Sequence, residues 1–197
     1  MKAGEQQIDE AQRELILGEL EGAMTAGGDV VELGCYMGET SVQIGRLMKR
    51  LGAAKKLWLY DSFEGLPEKS GADASAIGVN FRAGELRASK AEVMNRFKKA
   101  GLDLPIVKKG WFNDLDVTRD LPEKICFALL DGDYCDSIRV SLRLVVPKMS
   151  ENGTIIVHDY QNEALPGARK AVDEFLRQNL DYKLRVQSGV AIVKLKI

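Results

Sequence analysis

The only histidine of the chain, His158, stands directly before Asp159, and both follow the apolar run at residues 154–157. The β-branched residues of this run predict a strand that is buried on both faces. Polar side chains at the carboxyl end of such a strand lie where open parallel sheets bind their ligands. An imidazole beside a carboxylate at that position indicates metal binding or general acid–base chemistry.

A second carboxylate, Asp131, ends the preceding apolar run, ICFALL. Because Asp131 and His158 end neighbouring strands of a doubly wound sheet, we expect their side chains to converge across one strand spacing. With Asp159 they offer two carboxylates and one imidazole. This donor set suits Mg, Mn, Fe or Zn, and its oxygen content favours Mg or Mn. A metal there would lower the pKa of a bound hydroxyl.

Simpler structural roles are open for two of the acidic residues. Asp133 could cap a helix that starts near Asp136, and Asp159 could hold backbone amides of its loop.

Another group of candidates follows the first two predicted strands. In VELGCYMGETS, Gly34 would let the backbone approach a ligand closely, and Gly38 would supply a tight turn before a helix. Glu32 could bind an ammonium group or hold the loop, although an ordinary strand-to-helix turn would also explain this motif. Asp61 ends the second strand, from which a carboxylate can accept hydrogen bonds from both hydroxyls of an adenosine ribose.

The elements that must position these residues alternate along the chain. Residues 5–25 predict an amphipathic helix, and a helix near 40–52 is expected to use Thr40 or Ser41 as its N-cap. The polar segment at residues 64–89 predicts a lid loop. Five strands are predicted at 29–34, 56–62, 104–110, 125–131 and 153–159, with further helices at 90–101, 136–146 and 166–179. A hairpin at residues 182–197 adds an antiparallel strand, so we predict an α/β, doubly wound, mostly parallel and Rossmann-like sheet.

Composition narrows the class of protein. A chain of 197 residues, of which 45% are hydrophobic, is expected to form a single domain, residues 1–197. Its formal net charge of -1 argues against nucleic acid or anionic lipid as a partner. Cys35, Cys126 and Cys135 match no zinc module and are expected to be reduced thiols. Without a signal-peptide core or a membrane-length apolar run, we expect a soluble, cytoplasmic protein.

Five segments together resemble a known family: VELGCYMGETS, LYDSFEGLP, KKGWFND, ALLDGDYCDS and IIVHDY. They are similar to class I S-adenosylmethionine-dependent methyltransferases, and within these to the macrocin O-methyltransferase family, which methylates sugar hydroxyls in macrolide biosynthesis. The resemblance runs from Asp29 to the end of the chain. It implies a seven-stranded sheet of order 3-2-1-4-5-7-6 and S-adenosylmethionine as the cofactor.

The resemblance also implies roles for individual residues. The methionine end of the cofactor would lie near Glu32 and the glycine turn, its ribose at Asp61, and its adenine near Trp111. The implied cofactor contacts are Glu32, Gly34, Cys35, Tyr36, Gly38, Thr40, Ser41, Asp61, Ser62, Phe63, Gly110, Trp111, Phe112 and Asp131. The implied metal ligands are Asp131, His158 and Asp159.

The chain departs from the family pattern in two places. The family usually has two consecutive aspartates where this chain has His158 and Asp159. The chain is also shorter at its amino terminus, where family members have helices that cover the substrate. We therefore expect this cover to come from residues 64–89 or from a second subunit in a homo-oligomer.

Three hypotheses for function follow. The first is a metal-assisted O-methyltransferase that acts on a small hydroxylated molecule, with Asp131 and His158 in catalytic roles. The second is a metal-independent methyltransferase in which His158 is the general base. The third is a non-catalytic cofactor-binding or assembly protein.

Overall fold

A seven-stranded sheet with helices on both faces organises the chain, in a computed structural model that describes residues 8–79 and 81–196. The helices are α1 (Glu10–Ala23), α2 (Glu39–Arg50), α3 (Lys90–Lys99), α4 (Cys135–Val145) and α5 (Pro166–Gln178). The strands are β1 (Asp29–Leu33), β2 (Leu57–Asp61), β3 (Ile106–Lys109), β4 (Ile125–Leu130), β5 (Met149–Val157), β6 (Tyr182–Gln187) and β7 (Val190–Leu195). Within the described residues, no helix is both long and apolar enough to cross a membrane.

The strands lie in the order β3-β2-β1-β4-β5-β7-β6, which confirms the order that the family resemblance implied. Strands β1 to β5 pair in parallel, while β7 is antiparallel to both β5 and β6. The terminal hairpin turns at Ser188 and Gly189, both with positive φ, as a two-residue hairpin turn requires. The predicted α/β fold with its antiparallel hairpin is therefore confirmed.

Two apolar clusters hold the helices against the sheet. The first contains Ile16 of α1, Ile44 of α2 and Phe97 of α3, and the second contains Ile138 of α4 and Val172 of α5. Every residue of the central strand β4 is buried, because helices cover both of its faces. The three cysteines are free and buried, as expected of reduced thiols.

The residues at which helices begin differ from those that the sequence suggested. The predicted first helix included residues 5–7, which lie outside the described residues. Helix α1 begins after Asp9, whose carboxylate accepts from the Gln12 backbone N–H in a capping box. Helix α2 takes Gly38 as its N-cap, so the Thr40 or Ser41 prediction is wrong.

The alternative role for Asp133, as the cap of α4, is not the one that the structure shows. The residue at the N-cap is Tyr134, which makes no side-chain capping bond. The first amide of the helix, that of Cys135, instead donates at 2.7 Å to Asp73 Oδ1 in the distant loop.

The exits of β1 and β4 run so close together that only glycine fits at position 34. Gly34 has φ +93°, and a Cβ there would lie 2.0 Å from the carbonyl oxygen of Asp131. Backbone on both sides of this contact belongs to central strands or their first loop residues, so neither side can move cheaply.

We expect Gly34→Ala to lower the free energy of unfolding by about 2 kcal/mol or more, from left-handed strain plus the steric overlap. Gly18, within α1, has no atom within 4 Å of an added Cβ. Gly18→Ala is therefore the matched control and should raise the same quantity by about 0.5–1 kcal/mol. Urea unfolding of both variants measures this, and an unchanged Gly34→Ala midpoint would contradict the packing described here.

Candidate active site

A cavity of about 310 Å³ opens at the carboxyl edge of the sheet, where the predicted site residues were expected. Its walls come from the loops after β1, β2, β3 and β4 and from the segment at residues 64–89. The predicted residues that line it are Gly34, Tyr36, Asp61, Ser62, Gly110, Trp111, Phe112 and Asp131. The other predicted residues lie outside its lining: Glu32, Cys35, Gly38, Thr40, Ser41, Phe63, His158 and Asp159.

Asp61 ties the turn after β1 to the end of β2. Its Oδ2 accepts from the backbone N–H groups of Cys35 and Tyr36 at 3.0 and 2.8 Å, and its Oδ1 accepts from that of Phe63 at 2.7 Å. A carboxylate has about four lone-pair positions, so one acceptor position remains. In this arrangement Asp61 has room for one further hydroxyl donor rather than the two that the sequence suggested.

Glu32 is buried beneath the turn after β1. Its Oε2 accepts a 2.5 Å hydrogen bond from Ser41 Oγ. Ser41 lies in the first turn of α2, which begins at Glu39, and so cannot be its N-cap. Burial, helped by the charges of Asp131 and Asp61, raises the Glu32 pKa to about 8 despite that hydrogen bond. At neutral pH this carboxyl group is therefore largely protonated.

The predicted convergence of Asp131 and His158 is confirmed. His158 Nδ1 lies 3.0 Å from Asp131 Oδ1 and 2.9 Å from Asp159 Oδ2. His158 Nε2 lies 3.2 Å from Gln12 Oε1 of α1. Asp159 also accepts from the side-chain amide of Asn162 at 2.8 Å, and not from the backbone amides that the sequence suggested as an alternative.

This triad fits a divalent metal. One ligand atom from each of Asp131, His158 and Asp159 lies within 4.8 Å of the others. Neighbouring ligand atoms around an octahedral ion with bonds of about 2.1 Å are about 3 Å apart, which matches the two distances at Nδ1. The same spacing also suits a proton on Nδ1, so the two carboxylates are matched to a positive charge in either form.

The charges around the triad act on each other. Although burial opposes a charged imidazole, Asp131 and Asp159 raise the His158 pKa well above its ordinary value. Burial would raise the Asp159 pKa, but the charge of His158 and the hydrogen bonds from His158 and Asn162 lower it overall. Burial, followed by the charges of Asp159 and Asp131, raises the Asp133 pKa well above its usual range.

Strained backbone positions cluster at this edge. Tyr36, Phe63, Asp133 and Asp159 all have positive φ although none is glycine, and each follows the end of a different strand. Such conformations cost of order 1–3 kcal/mol each and concentrate at functional sites. The sequence does not predict these positive φ angles, because none of the four positions is a glycine.

Several cavity residues were not predicted. They are Gly65, Leu66, Pro67, Glu68, Ser70, Asp73, Leu86, Asn113, Gly132, Asp133, Tyr134, Asp136, Ser137 and Val140. Seven of these belong to the segment at residues 64–89, whose predicted proximity to the site was the available signal. Six of the others lie within the motifs KKGWFND and DGDYCDS, after Phe112 or Asp131, so those motifs already pointed to them. Val140 lies one turn further along α4.

The segment at residues 64–89, of which residue 80 lies outside the described part, is anchored to the rest of the fold, and two of the anchors lie beside the cavity. Leu66 packs with Tyr134 and Leu165 in a small apolar cluster. Asp73 is buried and accepts from Ser70 and from Cys135. The segment therefore forms one wall of the cavity, and its opening and closing as a lid stays a prediction.

Solved structures share this fold. The O-methyltransferase NovP superposes with a TM-score of 0.80 at 25% identity, over 94% of this chain and 79% of NovP. The calicheamicin methyltransferase CalS11 gives a TM-score of 0.74 at 16% identity, over 95% of this chain and 80% of CalS11, which shows the fold alone. The architecture is that of the Rossmann-like methyltransferases.

The family can be stated more closely. The model of the macrocin O-methyltransferase (TylF) family matches residues 6–186, and this chain belongs to that family. A tetracenomycin-C rhamnosyl 4'-O-methyltransferase from Streptomyces olivaceus is 32% identical over 159 residues, which are 75% of this chain and 58% of the relative. Demethyldecarbamoylnovobiocin O-methyltransferase from Streptomyces niveus is 30% identical over 75% of this chain and 58% of its own length. The chain thus spans less than two thirds of these curated relatives.

The raised pKa of Glu32 gives a signed prediction for stability against pH. Between the ordinary glutamate pKa and about 8, the unfolded chain loses this proton while the folded chain keeps it, so stability falls as pH rises. Glu32→Gln carries no such proton. Relative to the native chain, it should gain roughly 2–4 kcal/mol of unfolding free energy between pH 5 and pH 8.

Urea unfolding at both pH values measures the difference between Glu32→Gln and the native chain. Comparing differences removes the contributions of His158 and the other titrating groups, provided that these are unchanged in the variant. Parallel pH dependences of the two proteins would contradict a protonated Glu32 at neutral pH.

Proposed function

We propose that this protein transfers a methyl group from S-adenosylmethionine to a hydroxyl of a small molecule, such as a sugar or a natural-product intermediate, with help from a divalent metal. The single observation that carries this proposal is the arrangement at one cavity. One side of the cavity is formed by the turn after β1, whose backbone N–H groups donate to Asp61. The other side is formed by Asp131, which contacts His158. The names of the relatives describe O-methyltransferases for a rhamnosyl-tetracenomycin and for demethyldecarbamoylnovobiocin, and they support the choice of acceptor.

The cofactor side of the cavity suits a nucleoside with a positively charged tail. Asp61 has one free acceptor position for a ribose hydroxyl, and the half-exposed Trp111 offers an aromatic face to adenine. The absence of a Cβ at Gly34 lets the backbone of the turn line the cavity. S-adenosylmethionine, when bound, supplies an electrophilic methyl group on a sulfonium, whose charge suits the nearby carboxylates.

The acceptor side is built around Asp131, His158 and Asp159, which would hold the metal through two carboxylate oxygens and Nδ1. The metal, when bound, supplies a Lewis acid that lowers the pKa of an acceptor hydroxyl. Asp131 lines the cavity and so connects the metal triad to the space where the acceptor would lie. Asp133 also lines the cavity. Burial and the charges of Asp159 and Asp131 favour its protonated form, and a bound cation would offset those charges and so lower its pKa toward the form that can take up the hydroxyl proton. Alignment of the acceptor oxygen with the methyl group is the remaining requirement.

The metal-independent alternative has less support. His158 is buried, and neither of its ring nitrogens faces the cavity, since Nδ1 meets two carboxylates and Nε2 meets Gln12. A general base must reach the proton that it removes. The non-catalytic alternative has no observation in its favour, since both sides of the cavity keep their charged residues.

For the cofactor, we expect Asp61→Asn to weaken S-adenosylhomocysteine binding by about 1.5–3 kcal/mol, or tenfold and more, because a charged acceptor is lost. The substitution should also destabilise the chain, since the new NH₂ group faces backbone N–H donors. Isothermal titration measures the affinity.

Asp29→Asn is the matched control. Asp29 lies at the opposite end of the sheet, at the start of β1. Like Asp61, it joins β1 to β2, because it accepts hydrogen bonds from the Lys56 backbone amide and the Trp58 indole. It should lower stability in a similar way while leaving the affinity for S-adenosylhomocysteine unchanged. Equal loss of affinity in both variants would reduce the role of Asp61 to holding the loops.

For the reaction, we expect methyl transfer to a panel of sugar-bearing hydroxyl compounds to stop after dialysis against a chelator and to return with Mn²⁺ or Mg²⁺. His158→Asp restores the two-carboxylate pattern of the family, so it should stay active and shift its preference toward Mg²⁺. Mass spectrometry of the products reports transfer. Full activity in the chelator, with loss in His158→Asp, would remove the metal from the proposal and favour His158 as the base.

A further inference from the structure

We infer that Gln12 of helix α1 is a positioning residue for the metal triad: it accepts the Nε2 proton of His158 and so directs Nδ1 at the space between Asp131 and Asp159. This inference rests on the metal part of the proposed function. It concerns a residue outside all the motifs and in a different part of the chain, 146 positions from His158.

The orientation of the Gln12 amide is determined by its other partners. Its Oε1 accepts from the backbone N–H of Asp9 at 3.1 Å, and its Nε2 donates to the carbonyl oxygen of Ser188 at 3.3 Å. A flipped amide would place an N–H group against the Asp9 N–H and an oxygen against the Ser188 carbonyl oxygen. The network therefore assigns Oε1 to the atom that meets His158.

An acceptor at this position requires a proton on His158 Nε2, which lies 3.2 Å from Gln12 Oε1. When a metal ion takes the place of the Nδ1 proton, the neutral imidazole carries its lone pair on Nδ1, the nitrogen between the two carboxylates. That lone pair would be repelled by the carboxylates unless a cation lies among them. Gln12 thus selects the tautomer that a metal ion needs, as hydrogen-bond partners behind metal-bound histidines commonly do.

Two contacts hold Gln12 in place, one within α1 and one with the terminal hairpin. It lies in the first turn of α1, where its backbone N–H completes the capping box with the Asp9 carboxylate at 2.8 Å. Its side chain lies against the hairpin turn at residues 188–189. Helix α1 and the hairpin therefore hold the amide from two sides, so that it can orient the ring.

His158 is the only histidine in the chain, so ¹⁵N-histidine labelling of protein prepared without a histidine tag gives signals from one ring. The experiment records ¹⁵N ring shifts and Zn²⁺ affinity for the native chain, Gln12→Met, Gln12→Glu and the exposed control Gln178→Met. Neither readout depends on catalysis. In the native chain we expect Zn²⁺ to shift the Nδ1 signal while Nε2 keeps its proton.

The variants separate the contact with His158 from the contact with the hairpin. Gln12→Met removes the acceptor and should weaken Zn²⁺ binding by about 10- to 100-fold, with faster exchange of the Nε2 proton. Gln12→Glu keeps an acceptor for Nε2 but loses the donor to Ser188, so it should bind Zn²⁺ almost as the native chain does. Gln178→Met should change nothing.

Three results would overturn the inference: native affinity in Gln12→Met, equal losses in Gln12→Glu and Gln12→Met, or Zn²⁺ bound through Nε2. If Gln12→Met does not fold, the native spectra can still overturn the inference, because Zn²⁺ on Nε2 would exclude the Nε2 proton that Gln12 accepts. A native chain whose ring signals ignore saturating Zn²⁺ would instead contradict the metal part of the proposed function. In that case the metal-free spectrum still tests Gln12, since an Nε2 without a proton overturns its role.

Discussion

The cost of burying several acidic groups close together is the constraint on which this site depends. The carboxyl groups that meet at the edge of the sheet are Glu32, Asp61, Asp131, Asp133 and Asp159. Removing such groups from water is costly unless each finds a hydrogen bond, a counter-charge or a proton. The fold supplies a hydrogen bond, a counter-charge or a proton to several of these carboxyl groups. Each of these interactions shapes a different part of the cavity.

For Asp61 the solution is three backbone N–H groups, which hold the loops after β1 and β2 in place. For Glu32 it is a retained proton and the hydroxyl of Ser41. For Asp159 it is His158, supported by the amide of Asn162. The remaining negative potential makes the cavity suited to positively charged ligands, which include a sulfonium and a divalent cation.

The mostly parallel α/β sheet was readable from the alternation of apolar runs with helical patterns, while its strand order came from the resemblance to the family. Once β4 and β5 are neighbours, residues directly after them must meet, and the pairing of Asp131 with His158 is a consequence of local position. The positions of Gly34 and Asp61 in the cavity wall were predictable for the same reason, because they directly follow or end β1 and β2. These positions depend on where strands end, and strand ends are strong local signals.

Features that depend on contacts between distant segments were not predictable in this way. Thr40 and Ser41 have the chemistry of N-caps, but α2 begins at Glu39, and the Ser41 hydroxyl instead donates to Glu32 inside the core. The amide of Cys135 is capped by Asp73, 62 positions away. Gln12 likewise belongs to a helix whose sequence pattern is only amphipathic. A single sequence does not show which distant segments come together in the fold, so it does not predict contacts between residues that are far apart in the chain.

The contact of Asp73 has a consequence for how this protein can diversify. Asp73 joins the wall segment to the start of α4, and a Cβ on Gly167, in the first turn of α5, would lie 1.8 Å from its Oδ1. Three separate parts of the chain must therefore remain compatible at this point, and a change in any one requires changes in the others. By contrast, Ile77 and Val79 in the same segment are more than half exposed. Substitutions at those outer positions meet fewer contacts, whereas the base of the wall is constrained by the contacts that it shares with α4 and α5.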